Sequence, residues 1–439
     1  MTITPTAAAL ESTAITVTGG RPLNGRIPVQ GSKNIALHLY AAALLADGPV
    51  VLASTPDILD TGVCAQILAH TGAHVVVDDG RFSVIPAPAM AVCPIIHPEL
   101  GRRVRTTVVL AAAVLARTGQ VTFPYPGGDA FCPRLIDRHL AAMRAAGAEV
   151  IADATGIRAQ CGPRGVRAFT ADMATPYGPS LGATVTAMLL AARAPGASLI
   201  THPSMEPEVT ETARFLAECG VEIHFDDHGL HVSGSDHLAG GDFTVVGDRI
   251  EAATMIMAAA STGGSIHLDG ITACAFPDGL TAALKAAGIN LFEDAGGGGV
   301  CAQLNGALQG IDAATGPHPA LPTDTAPQLA AMLTQARGSS LIAERVYPRR
   351  DTHVEGLRAF GADISSTGAV VGLRGPTRLR AATVAAADIR AVTALLIAAL
   401  AAEGTSTIRG MYHLQRGYGR LIANLATLGA DITTTSEAS

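Results

Sequence analysis

The chain has 439 residues, 48% of them hydrophobic and only 15% charged, with a net charge of −7. That length exceeds one ordinary core and predicts two domains, while the acidic balance and the lack of a basic block exclude a phosphate-backbone binder. Trp is absent, Gly numbers 48 and Ala is abundant, so the interior must be built of small aliphatic side chains in closely approaching helices and strands, which suits α/β layers.

Residues 1–18 are rich in Thr and Ala and have no basic stretch ahead of an apolar core, so they read as a disordered lead-in and not as a signal peptide. Gly31-Ser32-Lys33-Asn34 stands directly before the first apolar helix. Ser32 is placed to cap it, and Lys33 and Asn34 stand at its positive end, where an anion is favoured; a lysine at a helix start is also commonly only solvated. The apolar run 35–52 is broken by Asp47, Gly48 and Pro49, and no segment reads as membrane-spanning. Arg102, Arg103 and Arg105 precede a helix expected over 106–116 in the same manner as Lys33.

Residues 126–139 lie between a strand-like run and a helix-like run. Pro126, Gly127 and Gly128 allow a tight, partly left-handed backbone, and Asp129 stands five positions before Arg134. On its residues alone this segment is either a surface turn with a solvated ion pair or a flexible loop that brings an acid and a cation to an anionic substrate. Later come Pro322-Thr323-Asp324, Arg349-Arg350-Asp351, Asp388-Ile389-Arg390 and the run His413 to Tyr418. Each reads either as a helix start or as a surface ion pair worth at most about 1 kcal/mol.

One phrase recurs through the chain: an apolar helix, a glycine, a small or apolar residue and a short strand. Its glycines are Gly72, Gly147, Gly220, Gly288, Gly361 and Gly429, spaced 68 to 75 residues apart. A second series, Gly48, Gly119, Gly196, Gly264, Gly338 and Gly404, runs 23 to 28 residues ahead of the first. Two glycines per period, each just past a helix, define an internal repeat of two helices and several strands. Six such units divide naturally into two lobes of three, and a cleft between lobes is the default binding site. The seven cysteines are scattered with no Cys-x-x-Cys pair, which favours a reducing compartment without a zinc site.

Taken together, several stretches resemble the enolpyruvyl transferases. These are Gly-Ser-Lys-Asn34, Arg105 before a helix, Pro-Gly-Gly-Asp129 with Arg134, Ser180-Leu-Gly-Ala-Thr184, Glu206-Pro-Glu208, Asp248-Arg-Ile-Glu251, the run from Pro317 to Asp324, Asp388-x-Arg390 and Arg416-Gly-Tyr418, in family order from about Gly19 to Asp431. The likeness is nearest to the UDP-N-acetylglucosamine 1-carboxyvinyltransferase (MurA) family; the shikimate-phosphate enzyme lacks the Pro-Gly-Gly-Asp loop and fits less well. The resemblance implies a two-domain inside-out α/β barrel of six repeated βαβαββ-type units, three per domain. It assigns 1–32 plus 247–439 to one domain and 33–246 to the other, with the active site in the cleft between them.

The resemblance also implies a reaction, in which the enolpyruvyl group of phosphoenolpyruvate moves to an acceptor hydroxyl with release of phosphate, without metal or organic cofactor. Lys33, Arg134 and Arg416 would hold phosphoenolpyruvate, whose carboxylate and phosphate suit fixed cations. Asp129, where most of the family has cysteine, would deliver a proton to the donor's methylene carbon, and Asp324 would face the acceptor hydroxyl as base or hydrogen-bond acceptor. Arg350 and Arg390 would respond to closure of the cleft, with Arg105 near the acceptor. Further substrate contacts are implied for Asn34, Asp137, Arg138, Ser180, Leu181, Gly182, Glu206, Val346 and Asp388. Without the thiol, insensitivity to the alkylating epoxide fosfomycin is expected. A cytoplasmic enzyme acting on small molecules follows, with no nucleic-acid or membrane partner.

The donor side of the pattern is intact and the acceptor side departs from it. Phe131-Cys132-Pro133-Arg134-Leu135 replaces Ile-Gly-x-Arg-Pro, Met205 replaces a basic residue, Pro348-Arg349-Arg350-Asp351 replaces Glu-Asn-Arg-Phe, and Gly419 replaces an acidic residue. These departures favour the branch that acts on the 3′-hydroxyl of UMP in nikkomycin- and polyoxin-type nucleoside antibiotic pathways, with Arg138 and Arg349 meeting a terminal monophosphate or else lying solvated. UDP-N-acetylglucosamine as acceptor is the direct rival. A non-catalytic nucleotide-binding paralogue is the reading of another class, against which stands the joint presence of Lys33, Asp129, Arg134, Asp324 and Arg416.

Overall fold

A computed structural model describes residues 10–129, 131–294 and 298–436. The chain divides into two units: one comprises Met1–Gln30, Ala130–Cys132 and Gly247–Ser439, the other Gly31–Asp129 and Pro133–Val246. Each is organised around three long helices. In the Gly31–Val246 unit they are Lys33–Ala43, Thr107–Thr118 and Leu181–Ala192; in the other they are Arg249–Ser261, Ala326–Leu333 and Ile389–Ala401.

These helices are apolar on every side and almost every residue in them is buried, as befits helices enclosed within a unit instead of lying on its surface. Alanine at many contacts lets the axes approach closely. Thr107–Thr118 packs on both its partners, and the three helices of the other unit pack pairwise.

Sheets form the outer layer, and they repeat one plan. The strand after a buried helix pairs antiparallel with one strand of a hairpin, while a short parallel strand takes its other edge. Val50–Ala53, for example, lies between Arg81–Ile85, antiparallel, and Gly241–Thr244, parallel. Ala197–Thr201 lies likewise between Gly229–Ser233 and Thr170–Asp172. In the sheet of Gln120–Phe123 the parallel edge shrinks to a single bridge, Ile95 to Thr122, and in that of Thr405–Arg409 the hairpin's place is taken by Thr13–Thr18 and Asp431–Ser436, strands far apart in sequence. Helices inside, strands outside and six copies of the plan make the inside-out α/β architecture expected from the repeat.

The first glycine series occupies the same backbone conformation in every copy. Gly72, Gly147, Gly220, Gly288, Gly361 and Gly429 all have φ between 91° and 100°, a left-handed turn that any Cβ would strain. The other series is less uniform: at Gly264 the positive φ belongs to its neighbour Gly263, and Gly48 has none.

Residues 13–18, expected as lead-in, are instead structural. Thr13–Thr18 is a strand inserted between Thr405–Arg409 and Asp431–Ser436, antiparallel to both. Ile15 and Val17, two apart, are fully buried on one face, the period-two signal of a strand; the small Ala14 on the other face is buried as well, and the Thr content around them obscures the pattern. Asn24–Pro28 then adds a parallel edge to Ser265–Asp269. Among the described residues no helix is long and apolar enough to cross a membrane.

Candidate active site

In the unit containing residues 247–439, a charged network is built at the ends of the buried helices. Pro322 starts a short 3-10 turn, Thr323–Thr325, which sets Asp324 at the head of Ala326–Leu333. Arg350 Nη1 lies 2.7 Å from one Asp324 oxygen and Arg390 Nη2 lies 2.6 Å from the other. Burial works against ionisation, but the Arg390 and Arg350 guanidiniums override it and hold the Asp324 carboxyl far below the usual carboxylate range. Both arginines are buried, and Asp324 is the carboxylate in direct contact with each, with Asp248 adding a longer-range attraction at Arg390.

Arg390 is fixed from a second side. Its Nη1 donates to the Tyr418 hydroxyl at 2.6 Å, which also meets Thr254 Oγ1 at 3.2 Å. Asp388 spends one oxygen on the backbone N–H groups of Arg390 and Ala391, 2.9 Å each, and accepts from Thr352 with the other. Arg350 donates to Thr323 Oγ1, whose own hydroxyl donates to Glu344. Its guanidinium lies 4.2 Å over the ring of Phe131, and that ring meets Tyr347 edge-on.

The loop that carries Arg416 is tied down from below. Gln30 donates through Nε2 to Gly417 O at 2.9 Å and accepts from Gly419 N at 3.3 Å, bracketing Tyr418. The Gln30 backbone N–H in turn donates to Glu251 Oε2 at 2.8 Å. Burial, reinforced by Asp248, pushes the Glu251 carboxyl up to about 8, against the pull of the Gln30 N–H and Arg420.

In the other unit Lys33 is not a solvated helix start. It is buried, with Nζ 3.1 Å from Asp60 Oδ2, and Asp60 comes from the first turn of Leu59–His70. Ser32 occupies the N-cap position of Lys33–Ala43 without a side-chain cap bond. Gly127 packs so tightly that a Cβ there would sit 1.7 Å from Arg102 O, and Gly128 has φ +100°. The tight turn expected of Pro126, Gly127 and Gly128 is therefore enforced by contact with the Arg102–Arg105 segment.

Beyond that turn Arg134 donates through Nη2 to the backbone O of Asp129 at 2.9 Å, and Arg105 donates to Leu135 O at 2.8 Å. Arg138 lies 3.9 Å from Asp137 at the start of Asp137–Ala145, both partly exposed. Gly182 has a packing reason of its own: a Cβ would lie 2.9 Å from the buried His139 ring, which contacts Thr186 Oγ1 at 2.8 Å. Ser180 and Glu206 stand at N-cap positions of Leu181–Ala192 and Pro207–Glu218 without side-chain cap bonds.

The family model for EPSP synthase (3-phosphoshikimate 1-carboxyvinyltransferase) matches residues 17–425. The chain belongs to this family of enolpyruvyl transferases. UDP-N-acetylglucosamine 1-carboxyvinyltransferase of Rhodospirillum centenum is 36% identical over 427 residues, covering 95% of this chain and 97% of the relative. The enzyme of the same description from Maricaulis maris is 37% identical over 421 residues, covering 95% and 98%. Among solved structures, the enolpyruvyl transferase NikO from Streptomyces tendae matches with a TM-score of 0.84 at 26% identity, covering 97% of this chain and 99% of that one. EPSP synthase from Acinetobacter baumannii matches in fold, with a TM-score of 0.76 at 18% identity over 96% of this chain and all of that one.

In this enolpyruvyl transferase Asp324, Arg350 and Arg390 are brought together in direct contact. Asn34 and Val346 are half-buried, and Val346 N donates to Glu344 Oε1 at 2.8 Å. Asp388, expected to meet substrate, has both oxygens engaged within the unit and acts on Arg390 through the backbone. Sequence reasoning missed Asp60, Thr323, Thr352, Glu344 and Gln30. Asp60 carried a signal, an acid in the first turn of a helix; Glu344 carried none, since its four acceptor contacts come from Thr315, Thr323 and the backbone at 346 and 347.

Proposed function

We propose that this enolpyruvyl transferase takes its enolpyruvyl group from phosphoenolpyruvate and places it on the 3′-hydroxyl of UMP. The acceptor oxygen would attack C2 of the donor while C3 receives a proton; C3 would then give up a proton as phosphate leaves with the acceptor's own. No metal or organic cofactor enters this reading. Lys33, Arg134 and Arg416 are assigned to the donor's phosphate and carboxylate, and Asp129 to proton transfer at C3.

Asp324 is assigned to the acceptor hydroxyl as a hydrogen-bond acceptor that orients it. A carboxylate bound by two guanidiniums is too weakly basic to remove an alcohol proton unaided. Arg105, Arg138, Ser180, Leu181, Gly182 and Glu206 are candidates for acceptor contacts, with Arg138 and Arg349 directed to a monophosphate.

Phe131 under the guanidinium of Arg350 carries the choice of acceptor. The family pattern has an aliphatic Ile followed by Gly there, and the aromatic ring occupies volume beside the Asp324 clamp that a smaller acceptor can spare. UDP-N-acetylglucosamine is the second reading, favoured by relatives of that description at 36% and 37% identity. Phosphate release from phosphoenolpyruvate is measured with UMP or UDP-N-acetylglucosamine, with mass spectrometry of the nucleotide product. A product from UMP alone is expected; a product from UDP-N-acetylglucosamine alone overturns the assignment. Fosfomycin should leave the activity intact, and Asp129→Cys should make the protein alkylable at residue 129. A covalent adduct on the loop of the unaltered protein would refute that expectation.

A further inference from the structure

The hairpin Glu222–Asp226 and Gly229–Ser233 presents three metal-ligating side chains that the transfer reaction does not use. His224 and His231 are directly opposite one another in its register, and Asp226 lies opposite Gly229. Residues two apart on a strand share a face, so His224, Asp226 and His231 stand on one side of the hairpin. The alternate residues Ile223 and Phe225 pack against the hydrophobic core, which turns the His/Asp face outward.

The spacing on that face is already close to coordination geometry. His231 Nε2 lies 3.0 Å from Asp226 Oδ1, and one ligand atom from each of the three residues falls within 4.8 Å of the others. Metal bonds of about 2.1 Å place two ligands about 3.0 Å apart at a right angle and about 3.4 Å apart at a tetrahedral angle. The His231–Asp226 pair meets the first figure as it stands, and His224 needs an approach of at most about 1.8 Å, within reach of a rotamer change in an exposed side chain.

One feature of the site must change on metal binding and one is already in place. The imidazoles of His224 and His231 are stacked, with centroids 4.6 Å apart and planes 1° from parallel; because a metal lies in the plane of each ring that binds it, the exposed His224 must tilt out of the stack to share an ion with His231. The Asp226 carboxylate is fixed by backbone N–H groups of His228 at 2.8 Å and Gly229 at 3.1 Å. Asp226 also lines a surface cavity with Thr201, His202, Met205 and His228, which leaves solvent access for further ligands.

We propose that His224, Asp226 and His231 form a surface site for a divalent transition metal. Two imidazoles and one carboxylate select zinc, nickel or copper over magnesium or calcium, which take oxygen ligands. Three protein ligands leave positions open to water or to a small anion. The cysteine spacing gives no hint of this site, because its signature is His-x-Asp followed five residues later by His across a turn.

The test is calorimetric titration of the full-length, chelator-treated protein with zinc chloride, repeated with nickel chloride. The expected result is a saturable site of about one equivalent, weakened at least tenfold in His224→Ala and in His231→Ala. The fourteen histidines and seven cysteines of the chain offer other places for metal, so assignment rests on the variants. His224→Gln, which keeps the side-chain bulk, should lose binding like His224→Ala while circular dichroism shows an unchanged fold. Absence of saturable binding in the unaltered protein, or equal affinity in the histidine variants, would overturn the proposal.

Discussion

Asp324 balances two buried guanidiniums, and the removal of its charge takes from both the carboxylate they contact. Breaking a buried pair costs about 3–5 kcal/mol, a figure to be discounted here because the Asp324 side chain is 24% exposed. Asp324→Asn should therefore lower stability by roughly 1–3 kcal/mol and turnover by at least about a hundredfold, since the amide cannot hold Arg350 and Arg390 in place. Thermal unfolding and steady-state phosphate release measure the two effects separately. Glu251 works in the opposite sense. Its carboxyl is pushed up to about 8 from an ordinary 4.5, so between those values the folded chain keeps a proton that the unfolded chain has released. The stability it contributes is complete below pH 4.5 and is lost as the pH rises to about 8, with a slope of up to about 1.4 kcal/mol per pH unit. Glu251→Gln, neutral throughout, should flatten that slope in denaturant unfolding curves recorded from pH 5 to pH 8; an unchanged slope would place the proton elsewhere.

At the scale of elements, the sequence was most legible where backbone geometry demanded one residue type. Six glycines at nearly equal φ made the repeat visible, and the acid before Ile389–Ala401 marked a true cap at Asp388; Asp248 caps Arg249–Ser261 in the same way without having been read so. It was least legible where a residue's partners are distant in the chain. Nothing near Lys33 announces Asp60, and nothing near Arg350 announces Glu344, because those contacts exist only after the repeats have packed. Ser32 shows the converse: a favourable cap type at the right position, with no cap bond made. Asp388→Ala should cost about 1–2 kcal/mol through the lost cap and should slow transfer further by loosening Arg390, which the ratio of kcat to stability loss would reveal. Gly127→Ala must displace the turn from Arg102 O and should reduce turnover far more than it reduces Tm, since the turn leads directly to Asp129.

For the whole molecule, the repeat count and the two-part division followed from spacing, while the role of the first strand did not. Thr13–Thr18 sits in the middle of its sheet, so its removal exposes two long strand edges at once. Deletion of residues 1–18 should cause a large loss of Tm and a tendency to aggregate, measured by scattering during thermal unfolding. The same placement has a consequence for synthesis. The partners of this strand, Thr405–Arg409 and Asp431–Ser436, are made only after the whole Gly31–Val246 unit. At about 5–20 residues per second the first strand waits on the order of 20–80 s for them, while every residue of the Gly31–Val246 unit has already been made. The nascent chain must therefore keep Ala14, Ile15 and Val17 unpaired while the intervening residues are made, with Thr13, Thr16 and Thr18 as the polar side chains the strand presents meanwhile.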